Sequence, residues 1–436
     1  MGILDQKSVF SAMLQNGPFA TIENTPPVGP FSKEAKSWLR AFQNDQLLKT
    51  KYRAVRHQIF DLLDINSFSE TSALLQDQGL KKQAIVRSHI LLSNMFGIAG
   101  HDSEISRRLK DYARTADDVI QSLRSKVLSP YSAHLETTNE IESATEPVTL
   151  LLYLFDDRFH KKARFEAKRK LALMGLAGSI DQRERETKIT EKFSDFIDFL
   201  NMYVWSPTLK IGDMDIAYLH SRHATEDFSC TSVSIITPGQ AEQTTLRSGE
   251  KLTLIKRRLF QDRGKEIPIY VTIRKKPPEA KVIKLLRKNE KNPAAAVDDE
   301  LGLMAVLNSV TDVKRFLRHL TRCAAKADSF MTLEDISDTL TGGAYTSTAT
   351  GSSANTPMLK FFARLGGMRV EFIIHTNRSY LNYMYQRDVA HDEYEVKRIF
   401  DTGVAAFLFP ADIYHLNLDH IREKQLQRFR ARIEEN

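Results

Sequence analysis

Near Trp205 the apolar periodicity of this 436-residue chain changes, so two kinds of structure must follow one another. Before that point apolar residues recur at helical spacing: Trp38, Phe42, Leu47 and Leu48, then Val55, Ile59, Leu62 and Leu63. Leu150 to Phe155, the basic segment His160 to Lys170, and Phe193 to Val204 continue in the same way, with a polar stretch from Ser132 to Pro147 expected as loop. Beyond it, Phe228 to Ile236, Lys251 to Phe260 and Ile267 to Ile273 are β-rich runs bounded by Pro-Gly, Ser-Gly-Glu and Arg-Gly-Lys turns. The expected class is α+β: a mostly helical N-terminal half followed by a mixed or antiparallel sheet flanked by helices. Three segments result. Residues 1–32 form an irregular tail broken by Gly17-Pro18, Pro26-Pro27 and Gly29-Pro30, residues 33–205 a helical domain, and residues 206–436 a sheet domain that closes with a helix near Leu416 to Ile433.

Composition narrows the function. With 42% hydrophobic and 27% charged residues, the chain has enough apolar material for a core. Its most apolar run, Val148 to Phe155, is less than half the roughly 18 to 20 residues a membrane span needs, so no membrane partner is expected. Met1 to Lys7 lacks the charged start and apolar stretch of a secretory signal, and a cytoplasmic location is expected. Cys230 and Cys323 stand far apart without ligand spacing, which supports neither a disulfide framework nor a cysteine zinc site. A net charge of +7 suits phosphate-bearing partners.

The hairpin around Gly366-Gly367 can be read in register, because a two-residue glycine link suits the primed turns that join twisted strands. Leu365 then opposes Met368, Arg364 opposes Arg369, Phe362 opposes Glu371, and Lys360 opposes Ile373. Alternation sends Lys360, Phe362, Arg364, Arg369, Glu371, Ile373 and His375 to one face and the apolar residues Leu359, Phe361, Ala363, Val370, Phe372 and Ile374 to the core. Two opposed arginines repel unless water or an anion lies between them, and a phosphate would supply that anion. Upstream, Arg274-Lys275-Lys276 closes a β-run, and Pro277-Pro278 opens a helix carrying Lys281 and Lys284. A helix start offers free N–H groups to phosphates.

The order of these elements resembles the RelA/SpoT-type alarmone synthetase domain over roughly Ile267 to Arg398. Arg274-x-Lys276, then Ala280 and Lys284, has the spacing of that family's opening motif, with alanine where the family has serine. The acidic strand start matches Val297-Asp298-Asp299-Glu300-Leu301-Gly302, the glutamate strand matches Val370-Glu371, and a later Ala-His-x-x-Tyr matches Ala390-His391 and Tyr394. The resemblance implies a nucleotidyltransferase-like α/β domain that moves the terminal pyrophosphate of ATP onto a ribose 3′-hydroxyl of a nucleotide or RNA acceptor, releasing AMP.

Carried across by position, Arg274, Lys276 and Lys284 would hold ATP phosphates, Asp299 would bind magnesium, and Glu371 would position or deprotonate the attacking hydroxyl. Acceptor-side candidates are Tyr345, Lys360, Arg364, Arg369, His375, His391 and Tyr394. Phosphoryl transfer needs these types, since positioning and charge stabilisation do most of the work. Departures from the family are Met304 in place of arginine, Ile373 and His375 in place of glutamine and arginine, and Ala344-Tyr345-Thr346-Ser347 where the family's Gly-Tyr-x-Ser-x-His ends in histidine. They leave open a different acceptor, a nucleotidyl transfer on the same fold, or a catalytically degenerate nucleotide- or RNA-binding module.

Other candidates carry less. His89 with His101-Asp102 reads as a helix boundary at Asp102, and Asp156-Asp157 as a helix-start pair. His220 and His223 have a spacing compatible with a metal if helical, yet lack an obvious third ligand.

Overall fold

The computed structural model describes residues 40–208, 214–290, 292–343 and 356–435, so the tail expected over 1–32 and Tyr345 lie outside the described residues. In chain order the helices are α1 (Gln46–Leu63), α2 (Gln78–Phe96), α3 (Asp102–Ser122), α4 (Pro147–Phe155), α5 (Lys161–Thr187) and α6 (Ile189–Phe199). Strands β1 (Asp215–His223), β2 (Cys230–Ile236), β3 (Glu250–Asp262) and β4 (Lys265–Lys275) follow. After them come α7 (Pro278–Lys288), β5 (Leu301–Leu307), α8 (Val310–Lys326), β6 (Thr332–Asp338), β7 (Leu359–Leu365) and β8 (Met368–Thr376). The chain closes with α9 (Asn377–Tyr385), α10 (His391–Asp401) and α11 (Leu418–Glu434). No described helix is long and apolar enough to cross a membrane.

The chain divides into two compact units that interleave in sequence: 1–186, 278–294 and 399–421 in the first, and 187–277, 295–398 and 422–436 in the second. The sequence expectation of contiguous domains meeting at 205 differs from this division. Phe196, Leu200 and Val204 of α6 and the turn after it lie in the sheet's core, so the second unit starts earlier.

The first unit is helical because its segments carry apolar faces and caps. Asp45 and Asp77 accept backbone N–H groups at the starts of α1 and α2. Helix α3 buries Ile105, Leu109, Tyr112, Ala116 and Val119 along one face, while α4 is apolar nearly all round and buried accordingly. Helix α5 buries charges, each satisfied. Glu166 accepts from the Tyr414 hydroxyl at 2.9 Å, Arg169 donates to the Leu408 carbonyl at 2.7 Å, and Lys170 pairs with Asp117 at 2.9 Å. Within the expected loop of residues 132–147, a short helix forms over Asn139–Ser143.

The second unit is built on one eight-stranded mixed sheet in the order β2-β1-β3-β4-β5-β8-β7-β6. Strands β5 and β8 are parallel, and every other neighbouring pair is antiparallel. Phe260, Ile269, Leu303, Phe361 and Phe372 pack one sheet face against α6 and the Val313, Phe316 and Leu320 face of α8. Ala217, Leu219, Ile255 and Val306 line the other face with Tyr380 and Leu381 of α9. Ser309 caps α8 by accepting the Asp312 N–H at 3.2 Å.

Two strands have no clear sequence signal: β1, where charged and aromatic residues interrupt the apolar alternation, and β6, an acid-rich edge strand. His220 and His223 therefore sit three apart on a strand, on opposite faces, and do not form the metal pair a helix would have made. The His223 ring is engaged instead by the Ser221 hydroxyl and the Phe228 carbonyl, each at 2.9 Å. Asp156 follows α4 rather than starting a helix, and its buried carboxylate pairs with Arg158 at 2.6 Å.

Candidate phosphate-handling site

The hairpin's register is the one read from its glycines: Phe362 faces Glu371, Arg364 faces Arg369, and Lys360 faces Ile373. Next to it, Glu371 on β8 aligns with Gly302 on β5, and Gly302 aligns with Arg274 on β4. One row across three strands thus reads Arg274, Gly302, Glu371. Neighbouring strands lie about 4.8 Å apart, so an arginine two strands away reaches the glutamate only by lying over the residue between. Glycine permits this. A Cβ on residue 302 would meet Arg274 Nε at 3.0 Å, and with the place open Arg274 Nη2 donates to Glu371 Oε2 at 3.0 Å.

Lys360, diagonal on β7, brings Nζ within 3.0 Å of Glu371 Oε1. Just past the end of β4, the Lys276 backbone N–H donates to the Glu300 carbonyl at 3.1 Å, fixing the residue beside the start of β5. Its Nζ lies 2.9 Å from Asp299 Oδ2. The cluster grades from closed to open, with Glu371 and Lys360 each 6% exposed, Lys276 15%, Asp299 18%, and Arg274 49% at the rim. Burial alone would raise the Glu371 pKa. The charges of Lys360, Lys276 and Arg274 outweigh that burial and the nearby Asp299, and hold the carboxyl below its ordinary range.

An aromatic group belongs to the same unit. Tyr383 of α9 stacks on His391 with ring centroids 5.0 Å apart, and the His375 ring lies 5.2 Å from the same Tyr383 ring. The charges of Arg274 and Glu371 both act on the Tyr383 hydroxyl, whose pKa is raised chiefly by burial. His375 is fully buried, and burial pushes its imidazole down to about 4, so it is neutral at physiological pH.

The remaining candidates take other places. Glu334 of β6 supplies the anion between the opposed arginines, accepting from Arg364 Nε at 2.9 Å and from Arg369 Nε at 3.0 Å. The Arg369 guanidinium also lies 3.6 Å from the centre of the Phe362 ring. Tyr394 carries the Arg398 guanidinium over its ring at 5.0 Å. Lys284 is buried in α7, within the first unit. The structure thus gathers Arg274, Lys276, Asp299, Lys360 and Glu371.

Sequence reasoning missed Gly302, Tyr383 and Glu334 as members of these groups. A lone glycine in an apolar strand such as Leu301–Leu307 signals a close approach, which was the available clue to Gly302. Glu334 had none, because its strand is unmarked.

Among the described residues no group of three or more His, Cys, Asp or Glu side chains is arranged to hold a metal. Asp299 and Glu371 are the two carboxylates of the cluster that could ligate a magnesium ion, which commonly takes one or two carboxylates and completes its shell with water and substrate phosphates. No family model, curated protein or solved structure matches the chain.

Proposed function

We propose that this chain is a divergent ATP-dependent pyrophosphokinase whose sheet unit has a nucleotidyltransferase-like fold, acting on the ribose 3′-hydroxyl of a nucleotide or RNA acceptor. The observation that carries the reading is the gathering of two carboxylates, Asp299 and Glu371, with Arg274, Lys276 and Lys360, on or within two residues of the ends of neighbouring strands. A site that only held phosphates would gain nothing from a buried carboxylate. In this reading the cations bind the ATP phosphates, and Glu371, held ionised, takes the proton as the acceptor oxygen bonds to the β-phosphorus. The bond from that phosphorus to the α-phosphate oxygen breaks, and AMP leaves. A magnesium ion would be held by Asp299 and one oxygen of Glu371, leaving the other Glu371 oxygen to take the proton, and would supply charge neutralisation on the transferred group.

A second reading, a catalytically degenerate nucleotide- or RNA-binding module, is favoured by one feature. The row beside Arg274-Gly302-Glu371 is Thr272, Met304 and Ile373, so apolar side chains stand where the resembled family carries arginine and glutamine. Transfer of label from γ-labelled ATP with magnesium into GDP, GTP, ADP, ATP or bulk tRNA separates the two. Labelled acceptor with AMP release, abolished in Asp299→Asn and Glu371→Gln, is expected. Nucleotide binding without transfer to any acceptor would favour the binding module.

A further inference from the structure

The cations of this site are engaged by the site's own carboxylates. Glu371 is gripped on one oxygen by Lys360 and on the other by Arg274, each at 3.0 Å, and Asp299 is gripped by Lys276 at 2.9 Å. A polyphosphate entering alone would have to pull these cations away. Glu371, 6% exposed, would then remain ionised and uncompensated, facing further negative charge. Removing one partner of a buried pair is costly for this reason. A divalent cation entering alone meets the converse obstacle: it would take the carboxylates and leave Lys360, equally buried, without its counter-charge. When both enter together the partners exchange, carboxylates to the metal and lysines and arginine to phosphate, and every charge stays paired.

We propose, resting on the ATP-handling reading above, that Glu371 and Asp299 act as an internal plug. The site admits a nucleoside triphosphate and a divalent cation only as a pair, and its carboxylates exclude the metal-free polyphosphate. An unusual consequence follows for the carboxylate-to-amide variants. Taking away the plug's charge frees the cations, so Glu371→Gln and Asp299→Asn bind metal-free ATP more tightly than the wild type does, while losing the benefit of magnesium.

The test is calorimetric titration of the full-length protein and both variants with ATP, in excess EDTA and in excess magnesium, with magnesium alone as a third titrant. Wild type is expected to bind ATP with magnesium at least about tenfold more tightly than ATP in EDTA, and to bind magnesium alone weakly. Each variant is expected to bind ATP in EDTA about tenfold more tightly than wild type, and its affinity is expected to change little with magnesium. Asp299 is the more exposed of the two, so Asp299→Asn carries the test if Glu371→Gln disturbs folding, as judged by its circular dichroism and melting transition. The plug is overturned if wild type binds ATP equally with and without magnesium, or if the variants bind metal-free ATP no better than wild type; ATP handling survives either result. Absence of ATP binding by wild type in both conditions overturns the ATP-handling reading, and the plug with it.

Discussion

At the scale of single residues, the site depends on an absent side chain as much as on charged ones. Gly302 is the path by which Arg274 reaches Glu371, and Gly302→Ala would set a Cβ 3.0 Å from Arg274 Nε. Arginine is flexible and half exposed, so the fold is expected to survive with a loss of about 1 kcal/mol in urea denaturation. An unchanged midpoint would mean that the Arg274–Glu371 pair contributes nothing to stability.

His89, in the helical unit, is a second residue whose behaviour follows from its partners. Its Nδ1 faces Asp102 at 2.7 Å and its Nε2 faces Glu146 at 3.0 Å, so the protonated ring donates to both carboxylates and the neutral ring to only one. Burial lowers the imidazole pKa, but the hydrogen bonds and charges of Asp102 and Glu146 outweigh it and leave the pKa raised above 6.5. The stabilisation is therefore complete below 6.5 and is lost as pH climbs through the raised folded-state pKa. The melting temperature is expected to fall over that window, and His89→Gln should flatten the slope. A slope that is the same in the variant would remove His89 as its source.

At the scale of elements, the hairpin shows how a turn can fix a site. Gly366 and Gly367 both have positive φ, 54° and 79°, the requirement of a primed two-residue turn. That turn sets the register, and the register puts Glu371 and Lys360 on one face. Replacing either glycine with valine should cost about 1–2 kcal/mol in urea denaturation, since a β-branched residue resists this backbone region. Strand β6 is the contrary case. Its sequence Thr-Leu-Glu-Asp-Ile-Ser-Asp lacks clean alternation, and Asp335, with φ of 50°, lies in the stretch where its pairing with β7 shifts register. Acidic residues and an irregularity are common on protected edges and obscure the strand in sequence. Glu334, which separates Arg364 from Arg369, was hidden with it.

At the scale of the whole molecule, the two units take segments from distant parts of the chain. In the helical unit, α7 buries Val282, Leu285 and Leu286, and residues 399–421 bury Val404, Leu408 and Phe409. A fragment of residues 1–205 lacks these segments and leaves the apolar surfaces they cover open to water. It is expected to melt without a cooperative transition and to bind an apolar dye, whereas the full chain melts cooperatively. A sharp, dye-free transition in the fragment would show that the inserted segments are dispensable.

Sequence alone determined the α+β class, the change from helical to strand periodicity, and the hairpin register. These are local properties, set by spacing along the chain and by turn stereochemistry. Tertiary structure decided what local spacing does not carry: that Arg274, Gly302 and Glu371 form one row over three strands, that Glu334 rather than a phosphate separates the opposed arginines, that Lys284 belongs to the helical unit, and that α6 belongs to the sheet. The physical reason is that strand order and helix docking are settled by which distant apolar faces bury one another, and a side chain's charge partners are fixed only once that burial is complete.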